Sequence, residues 1–340
     1  MNGSNINASL GDGQVSSEDI VFSALYSIMV FFGVLGNTVV IIIVAKTPSM
    51  HTTANYLLTN LAVADFLTLL FCPGMYDFAI NSFRINSTLG DIVCKLFAGN
   101  AIVCITFDAS VLTLCVIALE RYVAIVKPFK SARWTIASRN AVSVIAFIWL
   151  ASFILSFPDS LWTKYNAAHT ADMYPCIRPW TLNHKPAVKA YIIGHCLLMI
   201  VLPSILISFC YFSILRELRW NLADPVLDET DKNNTKKLLK LLFSIAVAFC
   251  LLCLPFAGFF FYVCALESMQ VEQNYATLFL THRIVRVLIF FNSFVNPLLY
   301  AAQSSNYRKS LKRIFCKRNA NICSKEIKVG KRLVNMEEQV

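Results

Sequence analysis

The chain is 340 residues long, 57% hydrophobic and only 15% charged, with a mean hydropathy of +0.59. Soluble domains carry about 25% charged residues, which excludes a soluble globule. The net charge of +10 invites a nucleic-acid reading, but its distribution along the chain is that of a membrane protein, and no nucleic-acid partner is expected.

Residues 1–19 carry no Lys or Arg, three acids (Asp12, Glu18 and Asp19), and Asn-x-Ser sequons at Asn2 and Asn7. Seven apolar runs follow: Ile20–Val44, Tyr56–Ile80, Val93–Val126, Ile136–Leu161, Ala190–Leu215, Leu238–Leu266 and Ala276–Ala302. Each is long enough to cross a hydrocarbon core of about 30 Å as a helix. The first run is too long for a signal-peptide core and follows acids, so it is expected to act as its own insertion signal. An odd number of spans puts the termini on opposite sides. With the N-terminus outside, Lys46, the Arg121–Arg139 region, Arg216–Lys240 and the tail after Tyr307 lie inside and hold 22 of the 30 Lys and Arg. The positive-inside rule selects that orientation. A further sequon at Asn86 then lies outside, whereas the one at Asn233 lies inside the cell, where no glycan is added.

Most of the twelve cysteines sit within the apolar runs and read as small apolar residues, Cys250 and Cys253 included. Cys94, at the outer start of the third run, and Cys176, in the long outer loop after the fourth, both face the oxidising side. A bridge between them would tie the loop across the mouth of the third helix. After the seventh run, "NYRKSLKRIFCKR" gathers Leu311, Ile314 and Phe315 on one helical face and Arg308, Lys312 and Arg313 on the other. That pattern predicts a helix lying on the inner leaflet lipids, with Cys316 and Cys323 available for palmitoylation.

Several motifs fall in order along these runs: Gly36–Asn37, "NLAVAD" ending at Asp65, the Cys94/Cys176 pair, Glu120–Arg121–Tyr122, Trp149, Pro203 with Tyr211, "FCLLCLP" ending at Pro255, and "NPLLY" from Asn296 to Tyr300. Together they resemble the rhodopsin-like (class A) G-protein-coupled receptors, over about residues 20–318. The implied fold is an all-α membrane protein. A seven-transmembrane helix bundle (20–302) follows a glycosylated outer N-terminus (1–19) and precedes a cytoplasmic amphipathic helix and basic tail (303–340). The resemblance implies a multi-pass plasma-membrane receptor, not an enzyme. Its implied partners are an extracellular ligand, a heterotrimeric G protein, arrestin, a receptor kinase and membrane lipids.

It also implies roles for residues. Glu120 would hold Arg121 in the resting state, and release would let Arg121 meet the G protein below an outward-swung sixth helix. Tyr122 completes that motif, Tyr211 and Tyr300 would support the open state, and Phe129 would plug into the G protein. Pro203, Pro255 and Pro297 permit helix bends. Asp65, with Ser110, Asn292, Ser293 and Asn296, would gather around an allosteric sodium ion; no other metal or cofactor is expected. An intramembrane carboxylate is costly and points into a bundle, which agrees with this placement, although a polar cluster that only joins helices remains open.

Four features depart from the family. Cys94 and Arg121 are 27 residues apart, two more than usual, which predicts an irregular start or a bulge in the third helix. Cys253 replaces the usual Trp of the sixth helix, leaving Phe249 as the expected moving aromatic. Thr235 stands where relatives place an acid that grips the helix-three Arg. Asp108 lies mid-helix on the face opposite Ser110, where a protonated carboxyl donating to the fourth or fifth helix is the one account available.

For the ligand, Val103 occupies the position where amine receptors carry an Asp, and no retinal-bearing Lys is present near Phe290–Asn292. The outer loop, the short N-terminus and the aromatic run containing Phe259 and Tyr262 resemble neuropeptide receptors. Arg283 and Arg286 add a basic site, so a small anionic metabolite is the alternative ligand. His195 reads as pocket-lining or packed. Arg286 is placed either as the anion anchor or as the partner of Asp77, with Asp108 too deep to reach it. A heptahelical channel or transporter would need internal repeats or charges on several helices, and an enzyme would need a metal or nucleophile constellation; neither is evident.

Overall fold

The computed structural model describes residues 17–72, 87–98, 101–127, 140–165, 176–177, 185–221, 229–303 and 305–316. Asn2, Asn7, Asn86, Asp77, Phe129 and Cys323 lie outside the described residues. Thr235 and Cys316 are described as backbone only.

The long helices are α1 (Ser17–Lys46), α2 (Thr53–Leu70), α3 (Ala101–Val126), α4 (Ala141–Trp162), α5 (Pro186–Cys196, continuing to Asn221), α6 (Glu229–Ala265) and α7 (Tyr275–Gln303). Among the described residues six helices are long and apolar enough to cross a membrane; α2 contributes 18 described residues, and the rest of its expected run falls in 73–86. Each predicted run overlaps one of these helices. The amphipathic helix α8 (Ser305–Cys316) follows directly. Arg308 caps the end of α7, donating to Ala302 O at 2.7 Å and Ala301 O at 3.2 Å, where unsatisfied carbonyls favour a cation.

Among the described residues two π turns interrupt the helices. One spans Cys94–Ala98, between the short helix Ser87–Val93 and α3, at the helix start where the 27-residue spacing predicts an irregularity. The other spans Leu197–Val201 in α5, just before Pro203; the Leu202 N–H reaches back to Leu197 O, and the wider turn relieves the crowding a proline imposes on the preceding turn.

The polarity of the bundle is the reverse of a soluble core. Val142, Phe147, Phe212 and Leu251 point outward, while Asn37, Asp65, Thr68, Asp108, Ser110, Thr113, Ser156 and Ser293 are fully buried. Exposed apolar surface on this scale is stable only in lipid, and ionisable groups in lipid must face inward. Helix α3 is the axis: 67% of its most apolar stretch is buried, against 22% for α4 at the periphery, and it packs on α2, α4 and α5. Ala64 and Ala109 keep the helix surfaces near Ile148 and Trp149 close. Trp149 Nε1 donates to Asn60 Oδ1 at 2.9 Å, and Asn60 Nδ2 donates to Thr113 at 2.8 Å, joining α4, α2 and α3. On the other flank Gly36 lets α1 approach Pro297 of α7, and Asn37 Nδ2 donates to Ser293 O at 3.2 Å.

Candidate functional site

The adjacent Glu120 and Arg121 face each other at the C-terminal end of α3. Arg121 Nε lies 2.6 Å from one Glu120 oxygen and Nη2 donates to the other at 3.1 Å, a two-point contact between side chains 7% and 19% exposed. Tyr122 turns instead toward α5, its ring 5.8 Å from Phe209, with the Lys127 ammonium 5.3 Å from its centroid. Tyr211 and Tyr300 are buried nearby in the main apolar cluster, and the Tyr300 hydroxyl has no hydrogen-bond partner among the described residues. Phe249 and Cys253 are fully buried on α6, whereas Pro255 lies on its exposed side. Gln303, the last residue of α7, donates to Ser244 of α6 at 3.0 Å.

Deeper in the bundle Asp65 is fully buried and accepts from Ser110 Oγ at 2.9 Å and Asn296 Nδ2 at 2.7 Å, so one carboxylate joins α2, α3 and α7. One turn before Asn296, Asn292 and Ser293 are also buried. Among the described residues the Asn292 amide oxygen, the Ser293 hydroxyl and the Asn296 amide oxygen all lack a hydrogen-bond partner. Buried polar atoms are normally satisfied, so these oxygens and the Asn292 amide nitrogen, which also lacks a partner among the described residues, offer hydrogen-bonding groups to an internal water and oxygens to a small cation.

Asp108, on the other face of α3, gives a second buried polar site. Ser156 Oγ of α4 donates to Asp108 Oδ2 at 2.6 Å, and His195 Nε2 of α5 lies 2.9 Å from the same oxygen. The partners therefore come from the fourth and fifth helices, as expected. The Ser156 hydroxyl donates to Asp108, whereas the direction of the His195 contact is set by where the proton between the two side chains sits. The His195 ring packs at a tilt against Tyr191, centroids 5.6 Å apart, and Tyr191 likewise against Trp162 at 5.2 Å. Sequence reasoning missed Ser156; its signal is a serine two turns beyond Trp149, on the same face of α4.

Toward the end of the bundle that carries the N-terminus, a disulfide joins Cys94 to Cys176. Cys176 pairs with Tyr165 in a two-stranded hairpin, Lys164–Tyr165 with Cys176–Ile177. Asp91 accepts the Tyr165 backbone N–H at 2.8 Å, a contact the sequence does not announce. Arg286 is buried on α7, 7% exposed, with its guanidinium 5.9 Å from the Phe290 ring. Phe259 is buried against His282 at 5.8 Å, and Val103 is buried with Tyr26, Leu69 and Phe290.

Two expectations for this end are corrected. Tyr262 does not line the interior: it is 59% exposed, because four consecutive aromatics sweep around a helix at 100° per residue and only Phe259 and Phe260 of the run are buried. Arg283 is occupied within the chain, 2.7 Å from Asp19 of α1 and with its guanidinium 4.1 Å from the Phe22 ring.

A family model described as 7 transmembrane receptor (rhodopsin family) matches residues 36–300, from Gly36 through Tyr300. The chain belongs to this family. The receptor is 28% identical to galanin receptor 2a of Danio rerio over 305 residues, which cover 88% of this chain and 78% of that protein. It is 28% identical to somatostatin receptor type 4 of Rattus norvegicus, covering 90% and 76%. It is also 28% identical to tachykinin-like peptides receptor 86C of Drosophila melanogaster, covering 87% of this chain and 58% of that protein. The receptor is thus a multi-pass membrane protein whose class transmits an external signal to G proteins. In the described bundle the Glu120–Arg121 contact is closed.

Proposed function

We propose that the receptor sits in the plasma membrane with its N-terminus outside, binds an extracellular neuropeptide and activates a heterotrimeric G protein. The observation that supports the peptide reading is that relatives aligned over most of the chain are named for galanin, somatostatin and tachykinin-like peptides. The disulfide-pinned hairpin beside α3 supplies a fixed rim for such a ligand. The test is guanine-nucleotide exchange on added G proteins while membranes bearing the receptor are screened with amidated peptides and with small organic acids. A peptide is the expected hit. Stimulation by organic acids alone would favour the anionic-metabolite alternative, and no exchange under any condition would remove the G-protein reading. Arrestin, a receptor kinase and inner-leaflet lipids at α8 complete the proposed partners, with no catalytic role.

Arg286 is proposed as the anchor for a ligand carboxylate or carbonyl. Its buried, planar guanidinium on α7 offers two parallel donors to a carboxylate or carbonyl, which lysine does not. Arg286→Ala should lower peptide potency about tenfold or more, the worth of a charge-assisted hydrogen bond. Arg286→Lys should recover little of it. Unchanged potency in Arg286→Ala would return Arg286 to the internal pairing with Asp77.

The buried oxygens around Asp65 fit a small cation. Asp65 supplies the charge, and Ser110, Asn292, Ser293 and Asn296 supply neutral oxygens, the donor set that hard cations take. A bound sodium ion would neutralise Asp65 and hold α2, α3 and α7 in the compact resting arrangement. Because a ligand shifts an equilibrium by its differential affinity for two states, sodium should oppose agonist binding. Raising sodium should lower the affinity of the peptide agonist by about fivefold or more in wild type, a typical coupling, and leave Asp65→Asn unaffected. Equal sodium dependence in both proteins would reduce Asp65 to a joint between helices.

A further inference from the structure

Asp108 and His195 play no part in the switch at Arg121 or in the Asp65 cluster, yet they form an ionisable pair inside the bundle. Asp108 is fully buried. Both of its partners, the Ser156 hydroxyl and the His195 ring, meet the same oxygen Oδ2, and Oδ1 has no hydrogen-bond partner among the described residues. A desolvated carboxylate in that position is costly unless a positive charge or its own proton neutralises it. One proton shared by the pair does so, either as carboxylate with imidazolium or as carboxyl with neutral imidazole. Without that proton the pair keeps one hydrogen bond but holds an uncompensated negative charge between α3, α4 and α5.

The surroundings do not replace the missing charge. From α4 the pair faces Asp159, a second acid that acts on His195. From α5 it faces Tyr191 and Cys196, and from α3 Cys104; on α6, Cys264 stands by Cys196. Among the described residues the basic group from the opposite wall is Arg286 of α7, which acts on Cys104 together with Asp108. The His195 side chain is 20% exposed, so its ring connects the sealed carboxylate to water. Histidine is also the side chain whose ordinary titration falls between about pH 5 and 8.

We propose that Asp108 and His195 form a proton-binding site that clamps α5 to α3 in the resting bundle, and that loss of its proton loosens the clamp. The ligand is the proton itself, exchanged between His195 and external water. The bundle with Glu120–Arg121 closed is also the bundle with Asp108–His195 closed, so proton loss destabilises this state. The sign follows: the resting receptor is most stable at mildly acidic pH and least stable at mildly basic pH. If the receptor couples to G proteins as proposed above, ligand-free signalling rises as the outside becomes basic.

The test has two readouts. The first is the thermal midpoint of the full-length receptor in lipid nanodiscs, measured across about pH 6 to 8.5, the range around histidine titration. The midpoint should fall by several degrees toward basic pH in wild type. It should be flat in Asp108→Asn, which keeps the shape without the charge, and in His195→Gln, which keeps a donor that does not titrate. His282→Gln, which alters the buried histidine of α7, should keep the wild-type slope. The second readout is ligand-free nucleotide exchange in sealed vesicles with a buffered interior, which should rise severalfold with external pH in wild type only. A slope shared by wild type and both pair variants, a midpoint that rises toward basic pH, or a slope lost in His282→Gln but kept in His195→Gln would overturn the site. A midpoint slope lost in both pair variants supports the site even where no G protein responds; the failure then belongs to the coupling reading.

Discussion

Arg121→Ala should reduce guanine-nucleotide exchange to the level of receptor-free membranes while surface level and peptide binding persist. The reason lies in what the side chain does in each state. In the described bundle the guanidinium contacts Glu120, its neighbour in the chain, with Nη2 donating one hydrogen bond at 3.1 Å and Nε 2.6 Å from the other carboxylate oxygen as an ion pair. That contact joins no two helices, so removing it costs the fold little, and the deep polar clusters that join helices are untouched. What is lost is the one group that would extend below α6 to the G protein. Glu120→Gln gives the opposite result. It removes the charge that holds Arg121, and a hydrogen bond to a charged group is worth about 1.5–3 kcal/mol, so ligand-free exchange should rise by roughly tenfold or more if the full value is released. Both variants are read by nucleotide exchange at matched surface expression. Normal signalling by Arg121→Ala, or silence in Glu120→Gln, would sink the proposed switch.

Gly36→Val should strip the receptor from the cell surface and lower the thermal midpoint of whatever is recovered. A Cβ at Gly36 would lie 2.8 Å from Pro297 Cβ and 3.1 Å from Cγ. The proline ring cannot swing aside as the end of a flexible chain can, so α1 must move off α7. Overpacking of this kind costs about 1–3 kcal/mol or more, and a β-branched side chain adds to it. The displacement also stretches the Asn37 contact to Ser293 O, leaving a buried amide without its partner. Gly36→Ala should show a weaker form of the same defect. Gly258 is the control: nothing lies within 4 Å of a Cβ there, and alanine is favoured over glycine in a helix by up to about 1 kcal/mol. Gly258→Ala should therefore be neutral or stabilising. A wild-type midpoint for Gly36→Val would mean that α1 and α7 are not packed as described.

Apolar run length and the order of a few polar residues by themselves point to the membrane-spanning helices and the family of this receptor, and charge asymmetry supplies the expected orientation. Those signals are local: a run must span a fixed thickness, and Lys and Arg are in excess on the inner side of the membrane. The extra residues between Cys94 and Arg121 announce an irregular start to the third helix, because a helix with two ends to place has only a turn in which to absorb them; a π turn stands there. The tertiary structure alone decided how each helix is rotated and which neighbour it meets. Consecutive aromatics from Phe259 to Tyr262 look alike in sequence, yet the rotation of α6 buries Phe259 and exposes Tyr262. Arg283 and Arg286 lie three residues apart, but one reaches Asp19 on α1 and the other turns into the interior. Asp108 shows the difference most clearly. Its burial follows from a charge in an apolar helix, but Ser156 and His195 lie 48 and 87 residues away along the chain. No local pattern links them. Their meeting depends on α4 and α5 settling against the same face of α3, which packing fixes over the whole bundle.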